Sequence, residues 1–313
     1  MAAASTSEQT GTSEQAGRTA SVPPLALVLI AAISILWGLN WPAMKFVVGE
    51  LDPWTFRAVS LFAAGSTLLV LARLTGEPMR LERRLWLPFI PVTALAVTGW
   101  HMLTAYGLGF IGGGRAAIIA FTMPIWAMVL GAIFLHERIG VRGFCALALG
   151  MSGIGALIGA ELLRLGAAPL GTLLILAAAF CWGAGTVGIK AYEWRIGTIA
   201  LSGWMFLIGG VPILAVWAAT VAPPDLSRLT VPGVAALGYV IFVAMVFCFT
   251  AFLRIVRLLP AGVAAISTLV IPVVGVISSS VLLHEPIGYN EILALVLVLG
   301  ALSLVLLKPR GGR

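Results

Sequence analysis

The sequence predicts an all-α integral membrane protein of ten transmembrane helices, built as two inverted five-helix repeats. Three observations carry that expectation. First, 60% of the residues are hydrophobic and only 10% are charged, whereas a soluble domain keeps about a quarter of its residues charged. Second, the apolar residues fall in runs of about 20, the length that crosses a bilayer core of ~30 Å. Third, the chain matches itself. Ile35–Val47 reads ILWGLNWPAMKFV and Phe180–Tyr192 reads FCWGAGTVGIKAY, so that a shift of 145 lays Trp37 on Trp182, Gly38 on Gly183 and Lys45 on Lys190. A shift of 148 lays Gly114–Gly140 on Gly262–Gly288, pairing Pro124 with Pro272, His136 with His284 and Glu137 with Glu285.

The elements follow in order. Residues 1–22 are rich in Ser, Thr, Ala, Gln and Gly and read as a disordered cytoplasmic tail. Helix 1, over 25–48, is too long for a signal-peptide core and has no basic segment before it, so it reads as retained. Helix 2, over 53–74, opens on Asp52-Pro53 and carries Arg57 early. Helix 3 spans 86–108 and holds Trp100, His101, Thr104 and Tyr106. Helix 4, over 114–135, has Pro124 at its middle, and helix 5, over 142–162, is Gly-rich. Helix 6 spans 169–191, helix 7 spans 197–219 and helix 8 spans 231–253. Helix 9, over 262–283, repeats the mid-helix proline as Pro272, and helix 10 covers 289–307. The repeats are then 25–165 and 169–308. Five is an odd number, so the two copies cross the bilayer in opposite senses, with a binding site expected near the midplane between them.

Net charge is +7. The basic residues sit between or at the ends of apolar runs, so they report topology and not a nucleic-acid partner. With the N-terminus inside, 14 of the 19 Lys and Arg fall on the inner side and five, Lys45, Arg57, Arg115, Arg164 and Arg228, on the outer. Both termini are therefore expected in the cytoplasm. Cys145, Cys181 and Cys248 lie inside apolar runs with no metal spacing, and read as small packing residues. No metal or cofactor is expected.

The Trp-Gly stretches of helices 1 and 6 resemble those of EamA-type members of the drug/metabolite transporter superfamily. The RAAII…P…LHERIG and VAAIS…P…LHEPIG segments and the Gly-rich fifth and tenth helices extend that resemblance over about 25–308. It implies a ten-helix fold around a central cavity in a cell membrane, that of a bacterial inner membrane. It also implies export or exchange of amino acids or related small metabolites by alternating access. Relatives of this kind include aromatic amino acid exporters and sugar-phosphate carriers. Small cationic-drug exporters of the same superfamily use a membrane-embedded Glu in the first helix, where this chain offers Trp and Asn.

The candidate cavity residues are Trp37, Asn40 and Trp41 of helix 1, Trp100, His101 and Tyr106 of helix 3, and Trp182 of helix 6. A polar or ionisable side chain in lipid needs a partner or a wet cavity, and indoles otherwise prefer the headgroup belt. Helix packing is the other reading, with Asn40 and His101 bonding neighbouring helices. Lys45 and Lys190 sit near opposite mouths and suit an anionic substrate, with Arg57 and Arg115 as similar candidates on the outer side; snorkelling to the interface explains them as well. Pro124 and Pro272 are candidates for kinks or a gate. Gly155-x-x-x-Gly159 suits close helix contact, within the bundle or in a homodimer. An intramembrane enzyme would need paired catalytic groups that the sequence does not place together, and a passive channel would not need inverted halves.

Overall fold

A computed structural model describes residues 24–136, 141–163, 170–221, 229–251 and 270–306. The expected tail 1–22, Glu137 and the first residues of the ninth predicted helix lie outside them. All regular structure among the described residues is helical. In chain order the helices are α1 Pro24–Glu50, α2 Pro53–Leu74, α3 Arg83–Phe110, α4 Gly113–Phe134 and α5 Val141–Leu163. Then come α6 Leu170–Ala191, α7 Thr198–Thr220, α8 Val231–Ala251, α9 Val270–Leu283 and α10 Tyr289–Leu306. Seven of these, α1 to α4 and α6 to α8, are long and apolar enough to cross a membrane; α9 and α10 supply shorter apolar stretches, as does part of α5.

Local chemistry sets several boundaries. Asp52 caps α2, its carboxylate accepting from the amides of Trp54 and Thr55, with Pro53 opening the first turn. Thr230 does the same for α8 through Gly233 N. Two features depart from plain helices. A π-helical stretch runs through Ala94–Gly99 of α3, and another through Tyr239–Phe247 of α8, the counterpart helix in the other half. And α4 breaks. Its first part ends at Ala120 and the second restarts at Met123, with the Thr122 hydroxyl donating to Ile119 O across the gap. Pro124 therefore does not bend a continuous helix, as its mid-span position suggests. It stands in a first turn, where its missing N–H leaves no helical bond unmade. Pro272 is buried two residues after the described start of α9.

The principal helix pairs cross between the halves. Helix α1 packs on α9 and α8, α6 on α4 and α3, α2 on α7, and α5 on α10. Exchanging α1–α5 for α6–α10 maps this set onto itself. The Trp-Gly repeat explains two of the contacts. A Cβ on Gly38 would lie 2.5 Å from Val274 of α9, and one on Gly183 would lie 2.9 Å from the backbone of Ala127 in α4. Only glycine lets these helices approach so closely.

Carboxylates tie the halves at both ends of the bundle. At the end holding the α3–α4 and α9–α10 connections, Glu285 accepts from Gly113 N and Gly114 N, at 2.8 and 3.1 Å. It thereby caps α4 from the opposite half. Arg115 pairs with Glu291 there, and Glu50 accepts from Thr230. At the other end Glu77 caps α7 through Ile199 N and Ala200 N. A carboxylate at a helix N-terminus satisfies orphan donors and meets the positive end of the helix dipole.

Candidate functional site

A partly open cavity of about 120 Å³ lies between the halves. Helix α1 lines it with Trp37, Asn40, Trp41 and Met44, α2 with Arg57, and α3 with Trp100 and His101. From the second half come Trp182 of α6, Phe206 of α7, and residues of α8 that include Ala244 and Phe249.

The indoles are held in place by specific contacts. Trp37 donates from Nε1 to Ala244 O at 2.9 Å, and Ala244 lies inside the π stretch of α8. Tyr239, at the start of that stretch, donates to Leu36 O at 2.7 Å. Trp100 and Trp182 stack at a tilt, ring centroids 4.9 Å apart, where α3 leaves its own π stretch. The two π stretches thus stand beside the cavity on opposite halves. Such widened turns recur at functional sites because they alter which carbonyls and side chains face inward.

The polar groups are few and buried. Arg57 is 1% exposed. Its Nε donates to His101 O at 2.9 Å, and its Nη2 to Thr104 Oγ1 at 3.0 Å and toward Met44 Sδ at 3.4 Å. Its guanidinium lies 4.2 Å from the centre of the Phe56 ring. His101 is 6% exposed and meets Phe206 edge to face at 5.8 Å. Two buried polar atoms on the cavity wall, Asn40 Oδ1 and His101 Nδ1, make no hydrogen bond with the described residues.

Six of the seven residues singled out for a cavity are brought together: Trp37, Asn40, Trp41, Trp100, His101 and Trp182. Tyr106 is not among them. It is 37% exposed and packs edge to face on Trp54. Five residues past His101, at ~100° each, a helix has turned well away from the cavity face. Lys45 stays outside as well, its ammonium donating to Leu108 O near the end of α3. Lys190 is exposed in the last turn of α6, at the opposite end of the bundle. Sequence reasoning placed Arg57 at the outer rim, because it lies one turn into α2. Its side chain is drawn inward by α3, where His101 O and Thr104 Oγ1 accept from it.

A family model described as the EamA-like transporter family matches residues 24–159 and 169–307. An uncharacterised transporter, YoaV of Bacillus subtilis (strain 168), is 25% identical over 86% of this chain and 92% of that protein. A probable amino-acid metabolite efflux pump of Salmonella typhimurium (strain LT2) is 25% identical over 89% of this chain and 92% of its own. A solved crystal structure covers 90% of this chain and 96% of that one at TM-score 0.65, with 17% identity. That last likeness concerns the fold alone.

Proposed function

The chain belongs to the EamA-like transporter family, and from that premise we propose that it carries a small metabolite, an amino acid or a related compound, through the central cavity. The carrier works by alternating access and acts as an exporter or exchanger. The observation that supports this reading is the cavity's composition from both halves, with Trp37 on one side and Trp182 on the other. A site shared by two halves can be opened to either face by rocking one half against the other. The walls are flat, apolar rings with a few polar groups to orient a ligand. The similar efflux pump carries amino-acid metabolites by its name, which favours the same substrate class here.

In this reading ten helices span a cell membrane, that of a bacterial inner membrane, as inverted halves over 25–165 and 169–308, and both termini face the cytoplasm. The substrate and the lipid are its partners. The chemistry is movement and not bond making.

Counterflow in proteoliposomes tests the proposal. Vesicles loaded with an unlabelled amino acid mixture should accumulate labelled substrate transiently, with saturation. Flux that never saturates and shows no counterflow indicates a channel and overturns the carrier reading. Cysteine labelling of the C-terminus from each side tests the orientation, and an external C-terminus would overturn it.

A further inference from the structure

We propose that Arg57 is the anion-recognition residue of the central cavity, so that the substrate must present a carboxylate, with a small apolar body lying against the tryptophans. The inference rests on the carrier reading for its context, but it stands on separate observations.

The first is burial without a counter-ion among the described residues. Arg57 is 1% exposed and lines the cavity. The carboxylates whose side chains are described lie elsewhere. Asp52 caps its own helix, Glu77 caps α7, Glu285 caps α4, Glu50 holds Thr230, and Glu82 and Glu291 pair with Arg84 and Arg115. Glu193 is exposed just past the end of α6. A buried charge is normally matched by an opposite one. Here only neutral acceptors approach it: a carbonyl, a hydroxyl and a thioether.

The second observation is geometry. Those contacts use Nε and Nη2, and Nη1 makes no hydrogen bond with the described residues. The anchored nitrogens fix the plane of the guanidinium and leave the two N–H groups of Nη1 for a ligand. A carboxylate accepting from Nη1 makes a charge-assisted hydrogen bond and supplies the missing opposite charge. Burial of the guanidinium makes the interaction stronger than it would be at the surface.

The third is the surrounding wall. Asn40 Oδ1 is a buried acceptor with no donor among the described residues, so it favours a ligand that carries an N–H or O–H beside the carboxylate. Trp37, Trp41, Trp100 and Trp182 face the same space. The cavity is partly open, and its interior of about 120 Å³ has room for one apolar group of about benzene's size. The occupant is a small organic acid with one apolar group, and not a lipophilic cation. A cation would meet Arg57 as a like charge.

The test is equilibrium binding to the full-length protein in nanodiscs, read by tryptophan fluorescence. The probes share apolar bodies and differ in charge: L-phenylalanine and L-leucine, their carboxamides, and the corresponding amines without a carboxyl carbon. Binding should be confined to the acids, with the carboxamides at least about 30-fold weaker. Arg57→Gln should abolish that discrimination, and Arg57→Lys should restore part of it. The probe series on the unaltered protein decides the matter even if both variants misfold. The proposal is overturned if a carboxamide or amine binds as tightly as its acid, or if neither acid binds. Binding of the acids without any counterflow would keep the anion site and remove the carrier reading, so the two fail separately.

Discussion

The two halves share a packing plan and differ in the chemistry they bring to the cavity. Each sends its first helix across to the fourth helix of the other, over a Trp-Gly step. Each carries a π stretch in its third helix. Yet Asn40, Arg57 and His101 all come from the first half, while the second contributes Trp182, Phe206 and an apolar face of α8. Fold symmetry rests on small residues at crossings, where nearly any chemistry in the cavity is tolerated. The polar groups of the cavity stand at a few positions whose repeat mates carry no such group. The repeat therefore survives in the glycines of the crossings and not in the polar residues of the cavity.

The largest expected effect strikes the shared plan. Gly183→Leu would drive a side chain into the backbone of Ala127. Overpacking of a tight crossing costs about 1–3 kcal/mol or more, so the variant should lose most of its monodisperse yield in detergent. At Gly109 no atom lies within 4 Å of the place a Cβ would occupy, so Gly109→Ala should behave like the parent. If Gly183→Leu folds normally, the crossings do not set the architecture.

The next effect belongs to the cavity. Trp37→Ala and Trp182→Ala should each lower transport by about tenfold or more, the ~1.4 kcal/mol that an aromatic face contributes, while the protein stays monodisperse. Trp37 is tied to Ala244 O and Trp182 is stacked on Trp100, so both faces are held for a ligand. Normal transport in both variants would make these indoles packing residues and move the site elsewhere.

The carboxylate caps offer a finer comparison. Glu285 caps a helix of the first half from the second, and Glu77 does the reverse at the other end. Loss of either cap costs about 1 kcal/mol. Glu285→Ala and Glu77→Ala should thus lower the detergent melting temperature by similar small amounts. A large drop from one alone would show that one end of the bundle holds the halves together.

Much of this was legible in the sequence. The helix 2 boundaries, 53–74, coincide with Pro53–Leu74 because Asp52-Pro53 is a strong start signal. The Trp37/Trp182 pairing followed from the repeat. Three things were not legible. The π stretches leave no mark in composition, since they are a slip in hydrogen bonding along an apolar run. The break at Phe121-Thr122 lies just before Pro124, and a proline alone does not tell a bend from a restart. Arg57 read as a rim residue because its Cα is one turn from the helix end, and only the packing of α3 over α2 draws the side chain inward.

The smallest expected effect concerns protons. The cavity's ionisable lining is Arg57 and His101, both from the first half, and no described carboxylate lines it. Apart from the exposed Glu193, the described carboxylates at the ends are bound to helix N-termini, to Thr230 or to arginines. A proton relay through one of these would have to dismantle such a tie in each cycle. Transport should therefore proceed by exchange and show no accumulation when a pH gradient is imposed alone. The measurement is uptake into proteoliposomes with and without the gradient, repeated with His101→Gln. Gradient-driven accumulation that survives His101→Gln would mean that a group outside the cavity carries the proton, and the division between structural ends and a chemical centre would fail. Accumulation that disappears with His101→Gln would place the proton on the first half's polar face, beside Arg57, and make the asymmetry between the halves the basis of coupling as well as of recognition.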